Sequence, residues 1–258
     1  MANIPGMSLP TSGNLSGFAL LAALSAVALG GGGCATGGPN HVYFTSRGSP
    51  AVHDLGPPPA LIDRAVRPDE RVLGLAYDFN TDHLFLRMAF AQTIRVVERP
   101  SGKILREMPL PEELHTPLPA DLAIRSSDRH LFAAHPDGRS VVELTLFGKF
   151  VRRLELPGLG GRIGGLAFDQ RLSRLLVLAR NTVVAFTPEG GELDRVMLDG
   201  LIDAKSLGYD SDARHFFVPM LDVNLIGEFD ANGNLVRTIP AGPVTALDAG
   251  PRAFLRVC

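Results

Sequence analysis

The chain lacks features that mark several common kinds of protein. Its 258 residues include only two cysteines, Cys34 and Cys258, so no cluster of thiolates supports a zinc site. The net charge of −2 gives no overall attraction to nucleic acid or to an anionic membrane. The apolar stretch at residues 18–29 is too short to span a bilayer comfortably. We therefore expect no nucleic-acid partner and no ordinary membrane-spanning helix.

The common catalytic motifs are also missing. No G-x-S-x-G occurs, and no Ser or Cys stands beside an obvious His base, so nucleophilic catalysis has no support. The seven histidines form no H-E-x-x-H pair. The glycine-rich residues 158–165 fit neither G-x-G-x-x-G nor a P-loop, and they lead into a predicted strand rather than a helix. We predict no catalytic residues.

What the chain does have is a repeated unit, seen best in residues 162–198. This segment holds four short apolar runs separated by Gly, Pro, Asn, Asp or charged residues. Short runs rich in Val, Leu and Phe and bounded by turn residues are typical of β-strands. Four strands in under forty residues, copied along a chain, indicate one blade of a β-propeller.

Two anchors repeat in the same phase. The first is a leucine in the first strand (A) of each copy, at Leu75, Leu122, Leu166, Leu207 and Leu247. These leucines lie 47, 44, 41 and 40 residues apart, which is the spacing of propeller blades. The second anchor is G-x-Φ-x-R, with Φ apolar, at residues 102–106, 148–152, 191–195 and 233–237. The shared phase predicts an all-β propeller of four-stranded antiparallel blades.

The two ends of the repeat region predict how the ring closes. Residues 42–44, 51–52 and 60–64 read as strands B, C and D without an A, and residues 244–247 supply an A strand. Joining them would complete a fifth blade and leave no free sheet edge. Phe254 and Leu255 form a further possible strand B that competes with residues 42–44 for this place. Five blades is our prediction, and six is the alternative.

Residues repeated at one position of the unit are interpreted as structural. His83, His130 and His215 each stand just before strand B, which favours packing or hydrogen bonding at the A–B turn. An arginine recurs on the outermost strand, where its stem would cover a blade edge while its head stays in water. These arginines are Arg106, Arg152, Arg195 and Arg237.

The N-terminus reads as an export signal. Residues 18–29 resemble the apolar region of a signal peptide, and small residues and Cys34 follow. Residues 31–34, Gly-Gly-Gly-Cys, are similar to a bacterial lipobox, in which a lipidated Cys becomes the first mature residue. We therefore expect residues 1–33 to be a signal peptide, 34–40 a linker and 41–258 a single propeller. The expected location is the periplasmic side of a membrane in the cell envelope, with lipid on Cys34.

The fourth copy, residues 216–239, resembles an NHL-type repeat. The positions that match are Phe217, Val218, Asn224, Ile226, Phe229, Asp230 and Gly233. The third copy matches at Val177, Asn181, Val184, Phe186 and Gly190. The resemblance is to NHL-like and TolB-like propellers, which usually have six blades. It implies an exported or scaffold protein that binds proteins, sugars or nucleic acids, and some members are lactonases or lyases.

In a propeller the D–A and B–C loops surround one mouth of the central channel, where recognition usually occurs. The longest such loop covers residues 109–121. The polar candidates on these loops are Glu112, Glu113, His115, His135, Asp137, Arg139, Arg180, Asn181, Asp222 and Asn224.

Our leading hypothesis from the sequence is a non-catalytic, monomeric envelope lipoprotein that binds a protein or glycan through this loop face, without a cofactor. The alternative is a metal-assisted hydrolase or lyase of the lactonase type. In that case Asn181, Asp222 and Asn224 would be candidate calcium ligands.

Overall fold

The protein folds as a ring of five four-stranded antiparallel sheets, as the spacing of the leucines predicts. The computed structural model describes residues 41–56, 58–116, 118, 120–221 and 223–250. The predicted signal peptide, Cys34, Asp222, Phe254, Leu255 and Cys258 lie outside these residues. Within the described part of the chain, no helix has the length and apolar character needed to cross a membrane.

The described residues form twenty strands and one short 3-10 turn at Glu112–Leu114. In chain order the strands are β1 (His41–Ser46), β2 (Val52–Asp54), β3 (Ala60–Ile62), β4 (Val72–Asp78), β5 (His83–Met88), β6 (Thr93–Glu98), β7 (Ile104–Pro109), β8 (Leu122–Arg125), β9 (His130–Ala134), β10 (Ser140–Thr145), β11 (Phe150–Glu155), β12 (Ile163–Asp169), β13 (Arg174–Ala179), β14 (Thr182–Phe186), β15 (Glu192–Met197), β16 (Gly208–Asp210), β17 (His215–Pro219), β18 (Leu225–Phe229), β19 (Leu235–Pro240) and β20 (Val244–Gly250).

The first blade is built from both ends of the repeat region. Its strand order is β20-β1-β2-β3, so the last strand supplies A and the first three supply B, C and D. Phe44 pairs with Leu247 and His53 across the two ladders. The predicted closure is therefore confirmed, and β1 occupies the place for which Phe254 and Leu255 were the competing segment. Blades 2 to 5 follow in chain order as β4–β7, β8–β11, β12–β15 and β16–β19.

The core lies between neighbouring blades, which explains why strand B is apolar without alternation. All five residues of β13 after Arg174 are buried, whereas β15, at the rim, is mostly exposed. Each apolar cluster joins two blades; one packs Phe85 and Val96 of blade 2 against Leu122 and Leu131 of blade 3. A blade therefore buries both of its faces only when its neighbours are present.

Two of the three repeated histidines, His130 and His215, have the structural role that their position predicts. The Nδ1 atom of His130 lies 2.6 Å from Glu143 on strand C, and His215 makes the same 2.6 Å contact with Glu228. His41, at the equivalent point of blade 1, lies 2.6 Å from Asp54. These pairs join strand B to strand C where the A–B turn ends.

The repeated arginines also join strands or blades. On strand D, Arg152 donates to Glu143 at 2.5 Å and to the carbonyl of Pro188 in blade 4 at 2.9 Å. Arg106 likewise donates to the carbonyl of Leu146 in blade 3 at 3.1 Å. The guanidinium heads of Arg106 and Arg152 therefore bond to the next blade and are not simply solvated. Arg237 pairs with Glu228 but its side chain stays 66% exposed, in keeping with the predicted solvated head.

Around the channel axis the five A strands approach too closely for large side chains. The residues directly before the anchor leucines are Gly74, Asp121, Gly165, Ser206 and Ala246. A Cβ added to Gly74 would lie 2.7 Å from the carbonyl of Ala120, and one on Gly165 would lie 2.6 Å from the amide of Leu207. Asp121 is the one larger residue at this level.

Asp121 connects three blades through a single oxygen. Its Oδ2 accepts hydrogen bonds from the amides of Leu166 and Leu207, both at 3.0 Å, and from the hydroxyl of Ser206 at 3.1 Å. The amide of Leu247 donates to Ser206 Oγ at 2.9 Å. Burial raises the pKa of Asp121 well above its usual value, against these amide hydrogen bonds, which lower it. This network satisfies amides at the axis that no sheet ladder reaches.

Candidate functional site

The strand order defines two opposite faces of the ring. The D–A and B–C loops lie where strand A begins, and we call this side the loop face. The A–B and C–D turns lie where strand A ends, and we call this side the turn face. Each face carries a cavity of several hundred cubic ångströms.

On the loop face, three arginines surround one open cavity of about 660 Å³ between blades 3 and 4, which we call the basic groove. Arg139 comes from the B–C loop of blade 3, Arg162 from the D–A loop and Arg180 from the B–C loop of blade 4. All three are exposed. The floor is the glycine-rich connection at residues 156–161. Two of the predicted site residues, Arg139 and Arg180, are thus brought together.

Glycines make room for these guanidinium groups. A Cβ on Gly138 would lie 2.9 Å from Arg162 Cζ, and Gly138 itself has φ +74°. A Cβ on Gly161 would lie 3.0 Å from Cγ of Arg180. The glycine-rich segment is the D–A connection between blades 3 and 4, where Gly161 makes room for Arg180, and Gly138 in the B–C loop of blade 3 makes room for Arg162.

Asp137 and His135, two further predicted residues, shape the loop beside the groove. Asp137 Oδ1 accepts hydrogen bonds from the amides of Arg139 at 2.7 Å and Ser140 at 3.1 Å. Arg153 donates to its Oδ2 at 2.5 Å and also lies 3.4 Å from His135. Burial alone would raise the pKa of Asp137, but the hydrogen bonds from Arg139 and Ser140 outweigh it and lower the pKa to about 2. The carboxylate is therefore ionised and already engaged, and it holds Arg139 at the groove.

The other predicted residues are distributed around the loop face. Glu112 and Glu113 are exposed on the 3-10 turn, and the ring of His115 lies 3.1 Å from the carbonyl of Leu110. Asn224 lines a separate cavity of about 190 Å³ in blade 5, and Asn181 follows Arg180 on the blade 4 loop. The nine of the ten predicted residues that the structure describes therefore do not form one cluster.

Cations line the loop-face end of the channel. A cavity of about 80 Å³ between the starts of β4, β16 and β20 is lined by Arg47, Arg71 and Lys205, and Lys205 also pairs with Asp203. Positive side chains at this point disfavour a bound cation and favour a negatively charged group.

One group in the described part of the chain has metal-ligating atoms within mutual reach, namely Asp128, His130 and Glu143. It lies at the A–B turn and strands B and C of blade 3, not on the loop face. Glu143 Oε1 is 2.7 Å from the guanidinium of Arg125, and its Oε2 accepts from Arg152. The two arginines neutralise the carboxylates that a metal ion would need.

The turn face contains a cavity that the sequence reading missed. It measures about 460 Å³ and is lined by the ends of strands A from all five blades. Tyr77, Phe168 and Tyr209 form its walls, and Asp248 lies among its lining residues. A signal for Asp248 does exist in the repeat: the residue after the anchor leucine is Ala or Gly in four copies and Asp in the fifth.

Comparisons with known proteins support the architecture. No family model matches the chain, and no curated protein matches it in sequence. One similar solved structure is a chain of a nidogen/laminin complex, with a TM-score of 0.58 and 13% identity over 83% of this chain and 98% of that one. Another is a glutaminyl cyclase of Myxococcus xanthus, with a TM-score of 0.52 and 17% identity over 67% of this chain and 72% of that one. At these identities the likeness shows the fold alone. The chain is a five-bladed β-propeller.

Proposed function

We propose that the protein is a non-catalytic binding propeller of the cell envelope that recognises an acidic segment of a partner protein through the basic groove. The observation that carries this proposal is the convergence of Arg139, Arg162 and Arg180 on one exposed cavity. Guanidinium groups bind carboxylates in a planar, two-pronged geometry, so a groove with three of them suits a run of Asp or Glu side chains.

The channel mouth on the loop face supports the same sign of partner. Arg47, Arg71 and Lys205 at the channel mouth extend the positive charge beyond the groove. The nearest predicted acid, Asp137, is paired with Arg153 and therefore does not neutralise Arg139. The structure of a propeller in a nidogen/laminin complex offers an example in which this fold occurs together with a protein partner.

We do not adopt the calcium-dependent hydrolase or lyase as the proposed function. Its candidate ligands Asn181 and Asn224 line no common cavity among those of the described residues, and cations stand at the channel mouth. The binding function that we propose, that of an NHL-like or TolB-like propeller, requires no metal ion.

The envelope location rests on the sequence of residues 18–34. We propose that the chain is exported, cleaved before Cys34 and lipidated there, so that the propeller works on the periplasmic side of a membrane. A Cys34→Ala variant should move from the membrane fraction to the soluble periplasmic fraction, because it would lose its lipid. Unchanged fractionation of the variant would contradict lipidation.

Binding can be tested with fluorescently labelled decaglutamate by anisotropy, at low salt and at physiological salt. The triple variant Arg139→Gln, Arg162→Gln and Arg180→Gln should bind about tenfold more weakly, because three exposed ion pairs at about 0.5 kcal/mol each sum to about 1.5 kcal/mol. Wild-type binding should also weaken as salt rises, since exposed charges are screened.

A matched control removes three arginines from the turn face instead. Arg129, Arg171 and Arg214 are exposed and lie on A–B turns, so their replacement by Gln changes the net charge equally. This control should bind decaglutamate like the wild type. Equal loss in both triple variants would refute recognition by the groove. Binding of an acidic polysaccharide but not of decaglutamate would indicate that the partner is a glycan rather than a protein.

A further inference from the structure

We propose that the cavity on the turn face is a second binding site, which takes an organic cation: a protonated amine on a compact apolar body. The site is independent of the basic groove, because the two cavities lie on opposite faces of the ring and share no lining residue. The proposal follows from three properties of the cavity, namely its aromatic walls, its buried carboxyl group and the absence of net charge at its rim.

The walls come from one level of the propeller. Two residues after the anchor leucine, the A strands carry Tyr77, Ile124, Phe168, Tyr209 and Ala249, and all five line the cavity. The hydroxyl of Tyr77 donates to Asp82 at 3.0 Å, outside the cavity lining. Tyr77 is thus held at the A–B turn of its blade, and both Tyr77 and Tyr209 line the cavity. Phe79, half-buried, adds a fourth aromatic ring nearer the opening.

The carboxyl group belongs to Asp248, which is only 7% exposed. Its Oδ2 accepts a hydrogen bond from the amide of Tyr77 at 2.8 Å, and its Oδ1 accepts one from the amide of Ala249 at 2.8 Å. These two bonds fix the group's orientation and leave lone pairs on both oxygens for a further donor. Burial raises the pKa of Asp248 to about 8, against these hydrogen bonds, and no cationic side chain among the described residues forms an ion pair with it.

An organic ammonium ion is the ligand that this combination suits. The faces of aromatic rings attract cations, and the attraction is stronger in a site from which water is excluded. A buried carboxyl group without a cationic partner gains most from an ammonium group, which would form a charge-assisted hydrogen bond with it. The apolar body of the ligand would bury its surface against Ile124, Phe168 and Ala249.

The rim does not reverse this preference. Arg171 and Asp212 are the charged residues among the exposed lining, and they carry opposite signs. Gln170 and Ser211 add neutral polar groups. Discrimination by charge therefore depends on Asp248 inside the cavity rather than on the residues at its opening.

The test is a fluorescence titration of the full chain at pH 9, where Asp248, with a pKa of about 8, is mostly ionised and an aliphatic amine, with a pKa of about 10, is still protonated. The protein has no tryptophan and three tyrosines, and Tyr77 and Tyr209 line this cavity, so tyrosine emission reports its occupancy. The probes are cyclohexylmethylamine, the neutral cyclohexylmethanol of the same shape, and methyl glucoside. We expect the amine to bind at least tenfold more tightly than the alcohol, and the glucoside not to bind.

Variants locate the site. Asp248→Asn should reduce the preference for the amine over the alcohol to less than threefold, whereas the control Asp212→Asn, at the rim, should keep it. Phe79→Ala should weaken the amine and the alcohol to a similar extent, and it tests the proposal even if the Asp248 variant does not fold. The groove variant lacking Arg139, Arg162 and Arg180 should bind the amine like the wild type.

The following outcomes would overturn the proposal: equal affinities for the amine and the alcohol, no change of tyrosine emission with either probe, binding of the glucoside instead, or unchanged affinities in Phe79→Ala. None of them bears on decaglutamate binding, so failure here can be distinguished from failure of the proposed function.

Discussion

Replacing Asp121 by alanine should destabilise the ring strongly, although this residue contacts neither candidate binding cavity. Its Oδ2 accepts from the amides of Leu166 and Leu207 and from the hydroxyl of Ser206. Without it, the two amides remain buried with no acceptor, and each such donor costs about 1–3 kcal/mol. Ser206 loses less, because its single proton can be donated to the carbonyl of Leu247 at 3.1 Å. The expected loss for Asp121→Ala is therefore about 2–6 kcal/mol.

The asparagine variant at the same position separates hydrogen bonding from charge. In Asp121→Asn the amide oxygen can replace Oδ2 as the acceptor for all three donors. The amide nitrogen would then take the place of Oδ1, which has no hydrogen-bond partner among the described residues. Burial also favours the neutral form of Asp121, so the loss of charge itself should cost little. The new amide N–H groups have no acceptor there, so we expect a loss of about 1–3 kcal/mol, smaller than that of Asp121→Ala.

Urea-induced unfolding, followed by far-ultraviolet circular dichroism, measures these differences in the free energy of unfolding. Asp63→Ala, at an exposed position just after β3, is the control and should change stability by about 0.5 kcal/mol or less. A loss below about 1 kcal/mol for Asp121→Ala, or equal losses for the Ala and Asn variants, would refute the role of Asp121 as the acceptor that joins three blades.

Two further predictions concern stability. The pKa of Asp248 is about 8 in the folded chain, against 3.8 for a solvated Asp side chain as in the unfolded chain. Between these values the folded state binds more protons, so the free energy of unfolding should fall as pH rises from about 4 to about 8. Thermal denaturation at pH 5 and pH 8 should show this slope in the wild type and a smaller slope in Asp248→Asn; equal slopes would contradict the assignment. Leu166→Ala should lower the free energy of unfolding by about 2–5 kcal/mol because Leu166 is fully buried, whereas the control Leu172→Ala, at a half-exposed side chain, should have little effect. Similar losses in the two leucine variants, measured by urea unfolding, would show that Leu166 is no core anchor.

Much of the fold could be predicted because each blade repeats the same local pattern. Four of the five anchor leucines lie on the first strand of their blade, namely on β4, β8, β12 and β20, and Leu207 directly precedes β16. The shared phase of the leucines and of the G-x-Φ-x-R motif reflects burial and turn geometry, which are local properties of the chain. The resemblance to propellers that usually have six blades left the number open, and the pairing of β1 with β20 decides for five.

The candidate sites were harder to predict, because their residues come from different blades. Arg139 and Arg180 were recognised as loop residues, but Arg162 lay in a glycine-rich connection and carried no motif of its own. The heads of Arg106 and Arg152 bond to the next blade, a contact that no pattern within one repeat can show. The sequence does not indicate the aromatic cavity, because Tyr77, Phe168 and Tyr209 are typical residues of buried strands.

The sequence by itself determined the strands, their grouping into blades and the joining of the two ends, since these depend on apolar runs and turn residues along the chain. Only the tertiary structure determines which side chains lie together at the axis of the ring. Asp121 and Asp248 stand where other copies have mostly Gly, Ala or Ser, and their polar partners lie at the amides of Leu166, Leu207 and Tyr77 in other blades. The physical reason is that ring closure brings five separate strands within hydrogen-bond distance, and that proximity is a property of the closed ring and not of any one repeat.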